Sequence, residues 1–124
     1  MKFGYKWGGS NLVDPSVKPL FWTLWFVLEP YFDEPIDHWL KDILSGPKGI
    51  GGDPGWDIDY VLGAHDTNHY HVWTDPEISG LKSNEATYTV EIFCQAVKES
   101  LLAMGQKYPQ KGSEIAEVIW RYKL

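Results

Sequence analysis

Residues 56–75 read WDIDYVLGAHDTNHYHVWTD, and this stretch decides the fold. Trp56, Ile58, Tyr60 and Leu62 alternate with Asp57, Asp59 and Val61, the period-two pattern of a strand with one apolar and one acidic face. Gly63 to Asn68, GAHDTN, supplies turn chemistry, and His69 to Thr74 alternates again. The segment predicts an antiparallel β-hairpin. Both alternating sets of the hairpin's second strand contain aromatics, so either can face inward; with Tyr70 and Val72 inward, His69, His71 and Trp73 share the outer face with Asp57 and Asp59.

Working toward the N-terminus, GPKGIGGDPG at 46–55 is rich in glycine and proline and predicts a loop. It follows a helical pattern, precedes a strand and lacks a Gly-Lys-Ser/Thr ending, so it does not match a phosphate-cradling loop. No cofactor is expected. Before it, Ile36, Trp39, Leu40, Ile43 and Leu44 form an apolar helical stripe. Asp33 or Glu34 is placed to cap it, Pro35 suits its first position, and Gly46-Pro47 closes it. Asp37, His38, Lys41 and Asp42 then fall on the solvated side. A second helix is predicted from Ser16, as cap, to about Glu29, where Pro30 breaks it. Trp22 and Phe26 widen its stripe of Phe21, Leu24, Trp25 and Leu28, so it should be covered on more than one side, and a partner can supply part of that cover. Phe3, Tyr5 and Trp7 alternate with Lys2, Gly4 and Lys6 and predict a first strand over 1–7.

Beyond the hairpin, Asp75-Pro76 ends the third strand and Glu77 to Ser83 reads as irregular. A long helix is expected from an Asn84 cap to about Gln106, with Val90, Phe93, Cys94, Val97, Leu101 and Met104 buried. The β-branched and aromatic content of Ala86 to Val90 leaves a short initial strand as the alternative. Tyr108-Pro109 through Gly112 breaks it, and Ser113 caps a last helix with Ile115, Val118, Ile119 and Tyr122 on one face. The expected fold is therefore α+β, a small antiparallel sheet of about three strands packed against about four helices, in one domain over 1–124.

The chain has 124 residues, 44% of them hydrophobic, with seven Trp, seven Tyr and five Phe, enough for one core without disulfides. Cys94 is the lone cysteine, so no intrachain disulfide forms, which fits a reducing compartment and a cytoplasmic location. The most apolar run, Leu20 to Leu28, falls far short of the roughly 20 residues a spanning helix needs. A net charge of −6 without a basic run removes the main energetic term for nucleic-acid binding. An acidic surface instead steers a basic partner.

His65, His69 and His71 invite a metal reading. A His-x-His pair on one strand points both imidazoles one way, and His65 or Asp66 from the turn can complete a three-ligand zinc site, the basis of an alternative reading as a small metal-dependent hydrolase. Ordinary cross-strand polar pairing, worth only ~0.2–1 kcal/mol per pair, explains the same residues and is preferred. Asp57 and Asp59, roughly 6–7 Å apart, have glycosidase-like separation, but alternating acids on a strand are an ordinary solvated face.

Binding joins more of these features. Asp53, Asp57, Asp59, Asp66, Asp75 and Glu77 concentrate on the loop, the hairpin and its exit, with Trp56, Tyr70 and Trp73 interleaved. Aromatic anchors among complementary charge are the composition of a protein-binding hot spot. In size, charge and aromatic profile the whole chain resembles the immunity proteins of bacterial toxin and contact-dependent growth inhibition systems. The resemblance implies a cytoplasmic, non-enzymatic protein that occludes a cognate toxin, often a basic nuclease. The contact residues expected from the pattern are Asp53, Trp56, Asp57, Asp59, Asp66, His69, His71, Trp73 and Asp75.

Overall fold

The computed structural model describes residues 3–9, 14–29, 34–44, 49–52, 55–64 and 68–124. Lys2, Asp33, Gly46, Pro47, Asp53, His65 and Asp66, each given a role above, lie outside them. The described chain is α+β, with four antiparallel strands rather than three and five α-helices rather than four. β1 (Ile50–Gly52), β2 (Trp56–Val61), β3 (His69–Thr74) and β4 (Glu85–Thr89) lie in sequence order. One face of the sheet carries α1 (Lys18–Leu28) and α4 (Val90–Lys107), and α5 (Gly112–Arg121) packs on α4. Short helices α2 (Leu40–Leu44) and α3 (Pro76–Ser79) complete the set. No helix among the described residues is long and apolar enough to cross a membrane.

The alternation read from the hairpin sorts the sheet as expected. Trp56, Ile58, Tyr70, Val72 and Tyr88 are buried toward the helices, joined there by Leu20, Leu24, Phe93, Val97 and Leu101 in one hydrophobic cluster. Tyr70 stacks on Phe93 at 3.9 Å between centroids and donates its hydroxyl to the Ile43 carbonyl at 3.2 Å, tying sheet, α4 and α2 together. Burial pushes both the Tyr70 and Tyr88 phenols well above the usual tyrosine range, so both remain neutral donors; Tyr88 uses its proton on the Ser16 carbonyl at 2.6 Å.

Several expectations are corrected. Phe3–Trp7 form no strand. Gly4 sits at φ +68, and the amides of Phe3, Gly4 and Tyr5 donate to the Glu99 carboxylate of α4 at 2.9, 2.9 and 3.4 Å instead of to a neighbouring strand. The alternating aromatics have another cause. Tyr5 stacks on Phe21 at 4.4 Å, Phe3 meets the same ring edge-on at 5.5 Å, and Trp7 meets Tyr108 at 6.4 Å, so the segment is a strap across the helices. The first helix is capped by Asp14, whose carboxylate accepts from the Ser16 amide, and begins as a 3-10 turn over Pro15–Val17. The pre-proline residue Glu29 is extended, at ψ 123, as its position requires.

Only Leu40–Leu44 of the second predicted helix is α-helical, with turns over 36–39. The Ile36 amide donates to Glu114 of α5 at 2.7 Å, a long-range carboxylate doing what a local cap was expected to do. Asp37 is not solvated but held by Arg121 at 2.7 Å and by the Tyr122 hydroxyl at 2.8 Å. The glycine-rich loop contains β1, and Leu62 points to solvent. Glu85–Thr89 is a strand, so the long helix starts at Val90, capped by the Thr89 hydroxyl, which accepts from the Ile92 amide at 3.1 Å. Asn84 instead closes the β3–β4 connection, exchanging bonds with Thr74. Pro76–Ser79 is a helical turn where irregular chain was expected, and Ser113 caps nothing, since α5 follows directly on a 3-10 turn over Pro109–Lys111. Cys94 is half-buried, not a core side chain; burial raises its thiol pKa and keeps it protonated.

Burial pushes the Glu99 carboxyl upward, but the hydrogen bonds from Gln95 and from the amides of Phe3, Tyr5 and Gly4 outweigh it and hold the pKa below the usual range. A carboxyl depressed on folding contributes stability above its unfolded pKa and loses it as pH falls through the folded value. Glu99→Gln is expected to cost about 1 kcal/mol at pH 7, after allowance for partial exposure. In urea melts the gap between wild type and variant should be full at neutral pH and close below about pH 4.5. A gap independent of pH would contradict the carboxylate's role in fastening the strap.

Candidate functional site

Register places the outer face residue by residue. Gly51 lies opposite Asp57, Asp57 opposite Trp73, and Trp73 opposite Glu85, so one row reads Gly-Asp-Trp-Glu across all four strands. The next row is Asp59, His71 and Thr87, and the third is Val61, His69 and Thr89. Because neighbouring strands are ~4.8 Å apart and successive rows ~6.6 Å apart, one acidic, imidazole and indole patch results. Asp57, Asp59, Glu85, Thr87 and Thr89 are exposed, and Trp73, His69 and His71 are half-buried. His71 Nε2 lies 3.2 Å from Glu85 Oε2, a diagonal pair that fixes ring orientation more than it adds stability.

β1 explains how the acids are accommodated. A Cβ built on Gly51 collides with Asp57 Oδ1, and one on Gly49 collides with Asp59 Oδ1. Both carboxylates therefore lean over bare glycine backbone, so glycine, despite its poor strand propensity, is what fits beside them.

Asp57, Asp59, His69, His71 and Trp73 are brought together as expected. Trp56 is not among them: at 4% exposure it faces the helices, since alternation puts it on the opposite side from Asp57. Asp75 stands at the hairpin exit as the cap of α3, accepting from the Glu77 amide at 3.0 Å, while its own amide donates to the Gly55 carbonyl at 2.9 Å. Asp53, Asp66 and His65 lie outside the described residues. Among the described residues no three His, Cys, Asp or Glu side chains converge as metal ligands. Glu85, Thr87 and Thr89 were missed, although the alternation in EATYT carries the strand signal.

No protein-family model matches the chain, and comparison with curated proteins and with solved structures finds no match.

Gly51→Ala is expected to destabilise the fold by about 1 kcal/mol by displacing the Asp57 carboxylate, and to cost at least ~0.5 kcal/mol less in an Asp57→Ala background. Additive costs in denaturant melts would mean that the two residues do not share this space.

Proposed function

We propose that the chain is an immunity-type inhibitor that binds and neutralises a cognate basic protein toxin, such as a nuclease, by occluding it with the outer face of the sheet. The role is stoichiometric rather than enzymatic, and its setting is the bacterial cytoplasm, as in contact-dependent growth inhibition. The observation that carries the reading is the row of Asp57, Trp73 and Glu85 beside Asp59 and His71. The four strands contain no lysine or arginine, so the three carboxylates of this face are opposed from the sheet only by the imidazoles of His69 and His71, the latter paired with Glu85. Such a surface raises the encounter rate with a basic protein, and a half-buried indole among the acids supplies an anchor.

Size refines the proposal. Six-residue strands span ~20 Å and four strands ~14 Å, roughly 300 Å² in projection. A stable complex buries about 800 Å² per partner, so the contact extends to the hairpin rim, where Val61 and Leu62 are exposed at 37% and 67%. Asp53 and Asp66, which flank β2 in sequence, are proposed as further contacts for the partner.

Affinity capture from the native cell, with identification of the bound protein, provides the partner. Asp57→Lys with Asp59→Lys should then slow association by roughly ten- to a hundredfold at low salt, with a smaller effect near physiological ionic strength. Release of the toxin's activity should follow. Unchanged association kinetics for a folded double variant would remove this face from the interface.

A further inference from the structure

On the opposite side of the molecule, the N-terminal strap and α1 enclose a cleft of about 300 Å³ that the proposed function does not use. Its walls are Tyr5, Phe21, Trp22 and Trp25, with Leu81 from the segment before β4 and Lys18 from the start of α1. Lys18 and Leu81 also line a second cleft of about 250 Å³ with Pro15, Lys82, Ser83 and Gly80, so the two clefts share the Lys18–Leu81 wall and Lys82 stands on the second. Among the described residues no carboxylate pairs with Lys18 or Lys82. Asp14, four positions before Lys18, is occupied by the amide and hydroxyl of Ser16 at 2.9 and 2.8 Å. In a chain of net charge −6, Lys18 and Lys82 supply positive charge here, while the Glu29 carboxylate is near enough to Tyr5 to act on its hydroxyl.

We propose that this cleft is a binding site for a small aromatic anion, a ring system bearing a carboxylate or phosphate group. The ring lies among the faces of Tyr5, Trp22 and Trp25, and the anion is held by Lys18 and Lys82. Aromatic walls favour a flat apolar body through stacking, and its burial supplies most of the affinity. The ammonium groups fix which end faces outward, the usual division between an apolar lining and a few placed polar groups. The wide aromatic stripe of α1 is explained at the same time: Trp22 and Trp25 stay half-buried because they wall a cleft rather than fill a core.

Titration of the chain with naphthoate, naphthyl phosphate and neutral naphthalenemethanol, followed by tryptophan fluorescence and calorimetry, tests the site. Saturable binding of at least one anion, one per chain, is expected, and the tighter of the two distinguishes carboxylate from phosphate. Lys18→Glu with Lys82→Glu should weaken anion binding at least about tenfold while changing naphthalenemethanol binding by less than about twofold. Trp22→Ala should weaken all three. Asp57→Lys with Asp59→Lys should bind as wild type, which separates this site from the proposed toxin interface. Should the charge-reversed pair fail to fold by near-ultraviolet circular dichroism, Lys18→Gln with Lys82→Gln makes the same comparison. Absence of saturable binding up to about 1 mM, or anion binding indifferent to the lysine substitutions, overturns the proposal.

Discussion

The pairing of β2 with β3, with Ile58 opposite Val72, is the constraint on which the rest of the molecule depends. Side chains alternate along a strand, so a register set at one pair assigns every neighbour to a face. Ile58 and Val72 are fully buried under α1 and α4, and that burial fixes Asp57, Asp59, His71 and Trp73 on the other side. A slip by one residue would put two aspartates into the core, at a desolvation cost far above the hydrophobic gain of any compensating side chain. The composition of the outer face is thus a by-product of core packing. The same alternation recruits β4, whose Tyr88 packs inward and whose Glu85 joins the outer row beside Trp73.

The hairpin was legible because a half-buried antiparallel strand writes its two faces directly into the sequence. What was not legible depended on partners distant in the chain. Glu85–Thr89 was divided between helix and the short-strand alternative, which is the one that forms: no glycine or proline separates strand from helix, and the boundary is set by the single Thr89 hydroxyl. β1 was hidden because glycine signals a turn, and the need for glycine there comes from the carboxylates of the neighbouring strand. Phe3, Tyr5 and Trp7 imitate a strand, yet their amides are satisfied by Glu99, 94 to 96 positions away. The helix expected from about Asp33 is α-helical only over Leu40–Leu44, and the Ile36 amide before it takes its acceptor from Glu114, 78 positions away.

The candidate site divides in the same way. Asp57, Asp59, His69, His71 and Trp73 followed from local alternation, while Glu85 required knowledge that β4 exists. Trp56 is aromatic and adjacent to the acids in sequence, but adjacency in a strand means opposite faces, and it belongs to the core. Two regions of distinct chemistry result: an acidic sheet face proposed to receive a basic protein, and an aromatic cleft beside Lys18 and Lys82 under the N-terminal strap. They are built from different elements, one from β2, β3 and β4 and the other from the strap and α1.

Hydroxyl-radical footprinting of the chain free and bound to its captured partner tests the central claim most directly, because it reads side-chain exposure on each face separately. The account predicts that Trp73, His69 and His71 lose labelling in the complex while Trp120, 80% exposed on α5, keeps it. Protection of Trp120 with Trp73 and the histidines unchanged would place the partner elsewhere and contradict the sheet face as the binding surface.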